Sequence, residues 1–108
     1  MTETQTDTRC YMIVTCAIHD RERFLSGYGA AARKLVQQFG GRYILMAQGA
    51  ERLEGDFGDG ASIVISEWPD RDSVKRFWKS PEYAEAKKLR DGIADVQVVI
   101  VDAPDITA

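Results

Sequence analysis

One histidine, His19, stands in a chain of 108 residues. Imidazole ordinarily titrates near neutral pH, so His19 is the first candidate for a general acid or base. It follows an apolar run, at a place where a strand end can face a pocket. The plainer reading is a histidine in a surface turn. Glu67 is the second catalytic candidate. It lies inside a strand pattern beside Trp68. On an inner sheet face its carboxylate would be desolvated and its pKa raised, which suits proton transfer. Turned outward, or paired with an arginine, it would be an ordinary surface glutamate. Asp20, next to His19, reads as a helix N-cap rather than a catalyst.

Binding candidates are more numerous. Tyr28, Trp78, Tyr83 and Trp68 could line a cavity for a flat apolar ligand, since pockets are mostly apolar with a few convergent polar groups. The alternative is core packing between helices and sheet. Tyr28 and Trp78 stand out because each has a polar tip that must find a partner. Arg42 and Arg90 could hold an anionic substrate through paired hydrogen bonds. Salt bridges on a solvated face, or across a dimer, are their plainer use.

Several chemistries have no signature. Gly55 to Gly60 is rich in glycine but lacks the Gly-Lys-Ser/Thr of a phosphate loop. It reads as a hairpin turn, with a mobile lid as the minor alternative. There is no nucleophile triad, no paired-carboxylate motif and no nucleotide fingerprint. One His and two Cys do not make a closed zinc site within one subunit. A haem would rest on a lone strand-end histidine. No metal and no cofactor is therefore expected.

The elements that must position these residues follow from the hydrophobic period. Residues 1–9 are polar and aperiodic, and read as a disordered tail. Cys10 to Ile18 is apolar and β-branched, a strand buried on both faces. Asp20 caps a helix in which Phe24, Tyr28, Ala31, Leu35 and Phe39 recur at helical spacing. Gly27 and Gly29 cost that helix about 1 kcal/mol each relative to Ala. Close packing on a neighbour is a plain reason to tolerate them. Gly40-Gly41 stops the helix. Arg42 to Gln48 is a second strand, broken at Gly49, with Glu51 to Glu54 continuing it after a bulge. Ala61 to Trp68 is a third. Pro69-Asp70 opens a second helix with Val74, Phe77 and Trp78 on its apolar side. Ser80-Pro81 starts another, running to about Arg90. Val96 to Val101 is the last strand, followed by a tail.

The order β-α-β-β-α-β is the ferredoxin-like arrangement, an α+β fold with one four-stranded antiparallel sheet and the helices on one face. Residues 10–104 are read as one domain. The strands are apolar at both parities: Met12 and Val14 against Ile13 and Ala17, Val98 and Ile100 against Val99 and Val101. A solvated face would alternate with polar residues. A second subunit, sheet on sheet, is the natural cover, so a homodimer is expected.

Composition narrows the partners. The formal charge is −3, and a nucleic-acid binder would want a basic face. The 14 Lys and Arg are interleaved with 17 Asp and Glu, so no basic membrane patch stands out. No apolar run approaches a membrane span. The start, MTETQTDTR, has no apolar signal core, and export is not expected. Cys10 and Cys16 would share a strand face roughly 20 Å apart, too far to bridge. They read as reduced cysteines of a cytoplasmic protein.

Tyr11-Met12-Ile13-Val14, then Asp20 with Phe24 and Tyr28, then Gly40-Gly41-Arg42-Tyr43 and Glu51-Arg52-Leu53-Glu54-Gly55-Asp56 form a series. Ser80-Pro81-Glu82-Tyr83, followed by Lys87 or Lys88, Leu89 and Arg90, is its most distinctive piece. Together, over residues 10 to 102, they resemble the domain-of-unknown-function 1330 family. The resemblance implies the dimeric α+β barrel fold and little about activity. Fold relatives include cofactor-independent monooxygenases, muconolactone isomerases and haem-associated proteins, a link by analogy only. The family often carries a small residue or Pro near positions 19 to 21, so no role for His19 comes from the resemblance.

Three readings of function result. The first is a dimer that binds a small, partly apolar molecule between helices and sheet. The second is a cofactor-independent isomerase or monooxygenase-like enzyme, with His19 or Glu67 moving a proton. The third is a structural or regulatory dimer without a site. An apolar cavity favours the first, a cavity lined by His19 or Glu67 the second, and a filled core the third.

Overall fold

The computed structural model describes residues 8–104. The tail expected over 1–9 falls mostly outside these residues, but Arg9 already belongs to the first strand. Strand β1 spans Arg9–Ile18. A helical rod follows in three joined pieces: α1 (Arg21–Arg23), a π-helical stretch (Phe24–Gly29) and α2 (Ala30–Gln38). Then come β2 (Arg42–Ala47), β3 (Ser62–Trp68), α3 (Arg71–Lys79), α4 (Pro81–Lys88) and β4 (Ala94–Ala103). The final strand is longer at both ends than the apolar run Val96 to Val101 suggests.

Caps set the helix starts. The Asp20 carboxylate accepts from the Arg23 N–H at 3.2 Å, and that of Asp70 from the Ser73 N–H at 2.8 Å. Ser80 serves two helices: its hydroxyl donates to the Phe77 carbonyl at 2.8 Å and accepts from the Tyr83 N–H at 3.0 Å. The turn between α3 and α4 is thereby fixed, and with it the position of Tyr83. Gly40 ends the first rod in the left-handed region, φ 103°. At Gly41 the constraint is steric, because a Cβ would sit 2.6 Å from Trp68 Cε2.

The sheet is antiparallel with strand order β2-β3-β1-β4, the ferredoxin-like order. The bulge is between Tyr43 and Leu45 inside β2. Glu51 to Glu54 does not continue the strand, contrary to expectation; only Ala50 reaches across, bonding Gly60 and Ala61. Its neighbour Gly49 has φ 75°, a turn conformation that leaves the ladder.

Register assigns the two faces. The row Met46–Val64–Val14–Val98 and the row Tyr43–Ser66–Met12–Ile100 look toward the helices. One residue on, Leu45–Ile65–Ile13–Val99 forms an apolar row on the outer face. Leu45, Val99 and Val101 are exposed there. The core between sheet and helices gathers Cys10, Met12, Leu35, Val36, Trp68, Val74, Phe77 and Tyr83. Phe24, Cys16 and Ile93 form a second, smaller cluster at the other end.

Candidate functional site

Between those two clusters the packing opens. A cavity of about 270 Å³ lies between the sheet and the first helical rod. Its floor is Met12, Val14, Cys16, Val64 and Val98; its roof is Phe24, Tyr28, Ala32 and Val36; Phe77 and Tyr83 close one end. The π-helical stretch supplies Phe24, Leu25, Tyr28 and Gly29 to this wall. A π turn widens a helix locally and often marks a functional site. Arg21, Leu25, Met46, Ala47 and Gln48 also line the cavity and are themselves exposed, which places its mouth.

The lining is mostly apolar, with polar groups at two places. Deep inside, the Tyr28 and Tyr83 hydroxyls are 2.8 Å apart. Two hydroxyls joined by one hydrogen bond keep a second O–H for another acceptor. Burial, with each ring's oxygen facing the other's at Tyr28, pushes the Tyr28 phenol well above its usual range; burial also raises Tyr83. Tyr43 is pushed up to about 12 by burial. All three phenols are thus neutral donors and acceptors near neutral pH, not bases. Near the mouth, Arg21 Nη2 donates to Ser62 Oγ at 3.2 Å. Ser66, also in the lining, accepts from Trp68 Nε1 at 2.8 Å.

The residues singled out in the sequence fall in different places. Tyr28 and Tyr83 meet in the cavity. Arg90 is beside them: its guanidinium carbon is 5.1 Å from the Tyr28 ring centre. Trp78 packs on Tyr83 with ring centres 5.1 Å apart, under Lys87, but does not line the cavity. Trp68 is a core residue, 1% exposed, against Phe77. His19 is more than half exposed and hydrogen-bonded to Asp95 at 3.0 Å. Glu67 is on the outer face, where Arg42 Nε donates to it at 2.9 Å and the Tyr11 hydroxyl at 3.0 Å. Those two bonds hold its carboxyl below the usual range. The raised pKa expected for an inner-face Glu67 is therefore corrected: the register with Arg42 and Tyr11 turns it away from the helices.

Sequence reasoning missed Arg21, Ser62, Gln48 and the π turn. Arg21 lies in the first turn after the Asp20 cap, and nothing in its spacing marks it. Ser62 and Ser66 carry a signal: two serines at the parity shared by Val64 and Trp68 mark small polar points on the inner face of the strand.

Cys10 and Cys16 are both buried free thiols. Burial pushes the Cys16 thiol up, against the opposing charges of Arg90 and Arg21. Among the described residues no group of three or more His, Cys, Asp or Glu is placed to hold a metal ion. No helix among them is long and apolar enough to cross a membrane.

Comparison with known proteins agrees with this geometry. A family model described as a domain of unknown function, DUF1330, matches residues 9–104. A protein of unknown function from Rhodopseudomonas palustris has a similar fold: 18% identity, TM-score 0.72, covering 88% of this chain and 82% of that one. A cofactor-independent oxygenase from Streptomyces nogalater is similar too: 15% identity, TM-score 0.66, covering 92% and 96%. At these identities the likeness is one of fold. Comparison with curated proteins gives no match.

Proposed function

The chain belongs to the DUF1330 family of unknown function, and from the cavity it encloses we propose that it binds a small, partly apolar molecule between sheet and helices. The observation that carries this reading is the unfilled space itself. Protein interiors are normally packed without voids of this size. A cavity of about 150 Å³ with apolar walls holds benzene, so one of about 270 Å³ takes a body of one or two rings. The hydroxyl pair of Tyr28 and Tyr83 offers such a body a donor and acceptors. Neither His19 nor Glu67 lines the cavity, so the proton-moving enzyme reading loses the two residues it was built on.

The protein acts as a homodimer through the outer sheet face and resides in the cytoplasm. Support for the dimer is the apolar row Leu45–Ile65–Ile13–Val99, with Val99 59% exposed. Such a row is costly to leave in water. Support for the cytoplasm is the pair of unbridged thiols.

Calorimetric titration with 2-naphthamide tests the cavity. Binding to the wild-type chain, lost in Val64→Phe with a gain in thermal stability, is the expected result, because the added ring fills the space the ligand uses. Equal binding by both chains, or none by either, overturns the reading. Native mass spectrometry tests the assembly: a monomer mass at micromolar concentration removes the dimer.

A further inference from the structure

Arg21 is the single charged side chain in the cavity wall among the described residues. Among the described residues no Asp or Glu lines the cavity, and none forms an ion pair with Arg21, although five other ion pairs are present among them. Among the described residues its one side-chain bond is to the neutral Ser62 hydroxyl, which is buried. A guanidinium has five N–H donors, so most of its capacity is unmatched by protein acceptors. An apolar cavity whose wall carries one uncompensated cation is complementary to an apolar body bearing one negative charge.

We propose that the cavity takes a monocarboxylate, with the Arg21 guanidinium binding the carboxylate at the mouth and one or two rings lying inward toward Tyr28 and Val98. A planar carboxylate matches the planar fork of arginine, which can donate two parallel hydrogen bonds. Ser62 holds the guanidinium from beneath, and Gln48, exposed at the same rim, adds an amide within the mouth. The anchor sits where solvent can reach it, so the charge enters without being fully desolvated, while the rings gain burial. This inference rests on the cavity reading above and adds the charge of the ligand to it.

The test compares 2-naphthoate with the neutral 2-naphthamide, by calorimetry on the full chain at pH 7, for wild type, Arg21→Gln and Arg21→Lys. Arg21 is exposed, so its substitution leaves the fold intact, which far-ultraviolet circular dichroism checks. The expected result is at least tenfold tighter binding of the naphthoate by wild type. Arg21→Gln brings the two affinities within about twofold; Arg21→Lys keeps part of the preference. If both compounds bind wild type equally, or the preference survives in Arg21→Gln, the carboxylate anchor is overturned while the cavity reading stands. If neither binds, the cavity reading fails and the anchor with it.

Discussion

The hydroxyls of Tyr28 and Tyr83 face each other at 2.8 Å, 55 residues apart in sequence. The contact joins the π-helical stretch to α4 across the end of the cavity. Each ring is also held from behind, Tyr28 by Phe24 at 5.2 Å and Tyr83 by Phe77 at 4.5 Å between ring centres. The hydroxyls are thus set in place by packing before any ligand arrives.

Removing both hydroxyls should cost less than the two single removals added together. Tyr83→Phe leaves the Tyr28 oxygen without its partner, at a cost of about 1–3 kcal/mol. Tyr28→Phe does the same to Tyr83. The double variant removes donor and acceptor together, and its loss should be smaller than the sum of the single losses. Urea unfolding of the four chains, read as a double-mutant cycle, checks this. Strict additivity would mean the two hydroxyls do not bond in solution.

Glu67 gives a pH dependence of definite sign. Arg42 and Tyr11 lower its pKa in the folded chain, below an unfolded value of about 4.3. The contribution is therefore present above that value and is lost as pH falls through the folded pKa. The exposed Arg42 side chain keeps the effect small through solvent screening. Wild type should lose more urea stability between pH 6 and pH 3 than Glu67→Gln does. Parallel declines in the two chains would show that the pair contributes nothing.

Much of this architecture is legible in the residues. Asp20, Asp70 and Ser80 cap the helices they appear to cap, because capping is local chemistry between a side chain and an N–H three residues on. The two apolar parities of the strands are both real, one facing the helices and one outward. The cavity is harder to read. Tyr28 and Tyr83 could be picked out as aromatics with polar tips, but their meeting depends on how two helices cross. Glu67 is ambiguous in the sequence because parity alone does not say which face is inner; the burial of its neighbours Ser66 and Trp68 against the helices decides it. Arg21 is not legible in the sequence, where Asp20 and Glu22 flank it, because what matters is that no carboxylate of the described residues lines the cavity with it.

Gly41 carries a constraint that only tertiary structure reveals. Its backbone is not in the left-handed region, yet a Cβ there meets three atoms of the Trp68 indole at 2.6–2.8 Å. Trp68 is pinned by Phe77 and by its bond to Ser66, so it has little room to give. Gly41→Ala should lose about 1–3 kcal/mol by overpacking, seen as a lower urea midpoint. In a Trp68→Phe background the same Gly41→Ala change should cost less; an unchanged cost would place the strain elsewhere.

Gly27 should behave in the opposite way. A Cβ added there meets only Leu89 Cβ, at an ordinary 3.8 Å, so close packing does not explain this glycine. Alanine in a helix is favoured over glycine by about 0.5–1 kcal/mol, and Gly27→Ala should raise the melting temperature. The same change stiffens the π-helical stretch that forms one wall of the cavity. If the stretch must adjust to admit a ligand, the stabilised variant should bind 2-naphthamide severalfold more weakly, a trade of function for stability. Thermal unfolding and calorimetry on the same preparation read both quantities. A more stable chain with unchanged affinity would detach the π turn from binding, and a less stable one would show that the turn itself demands glycine.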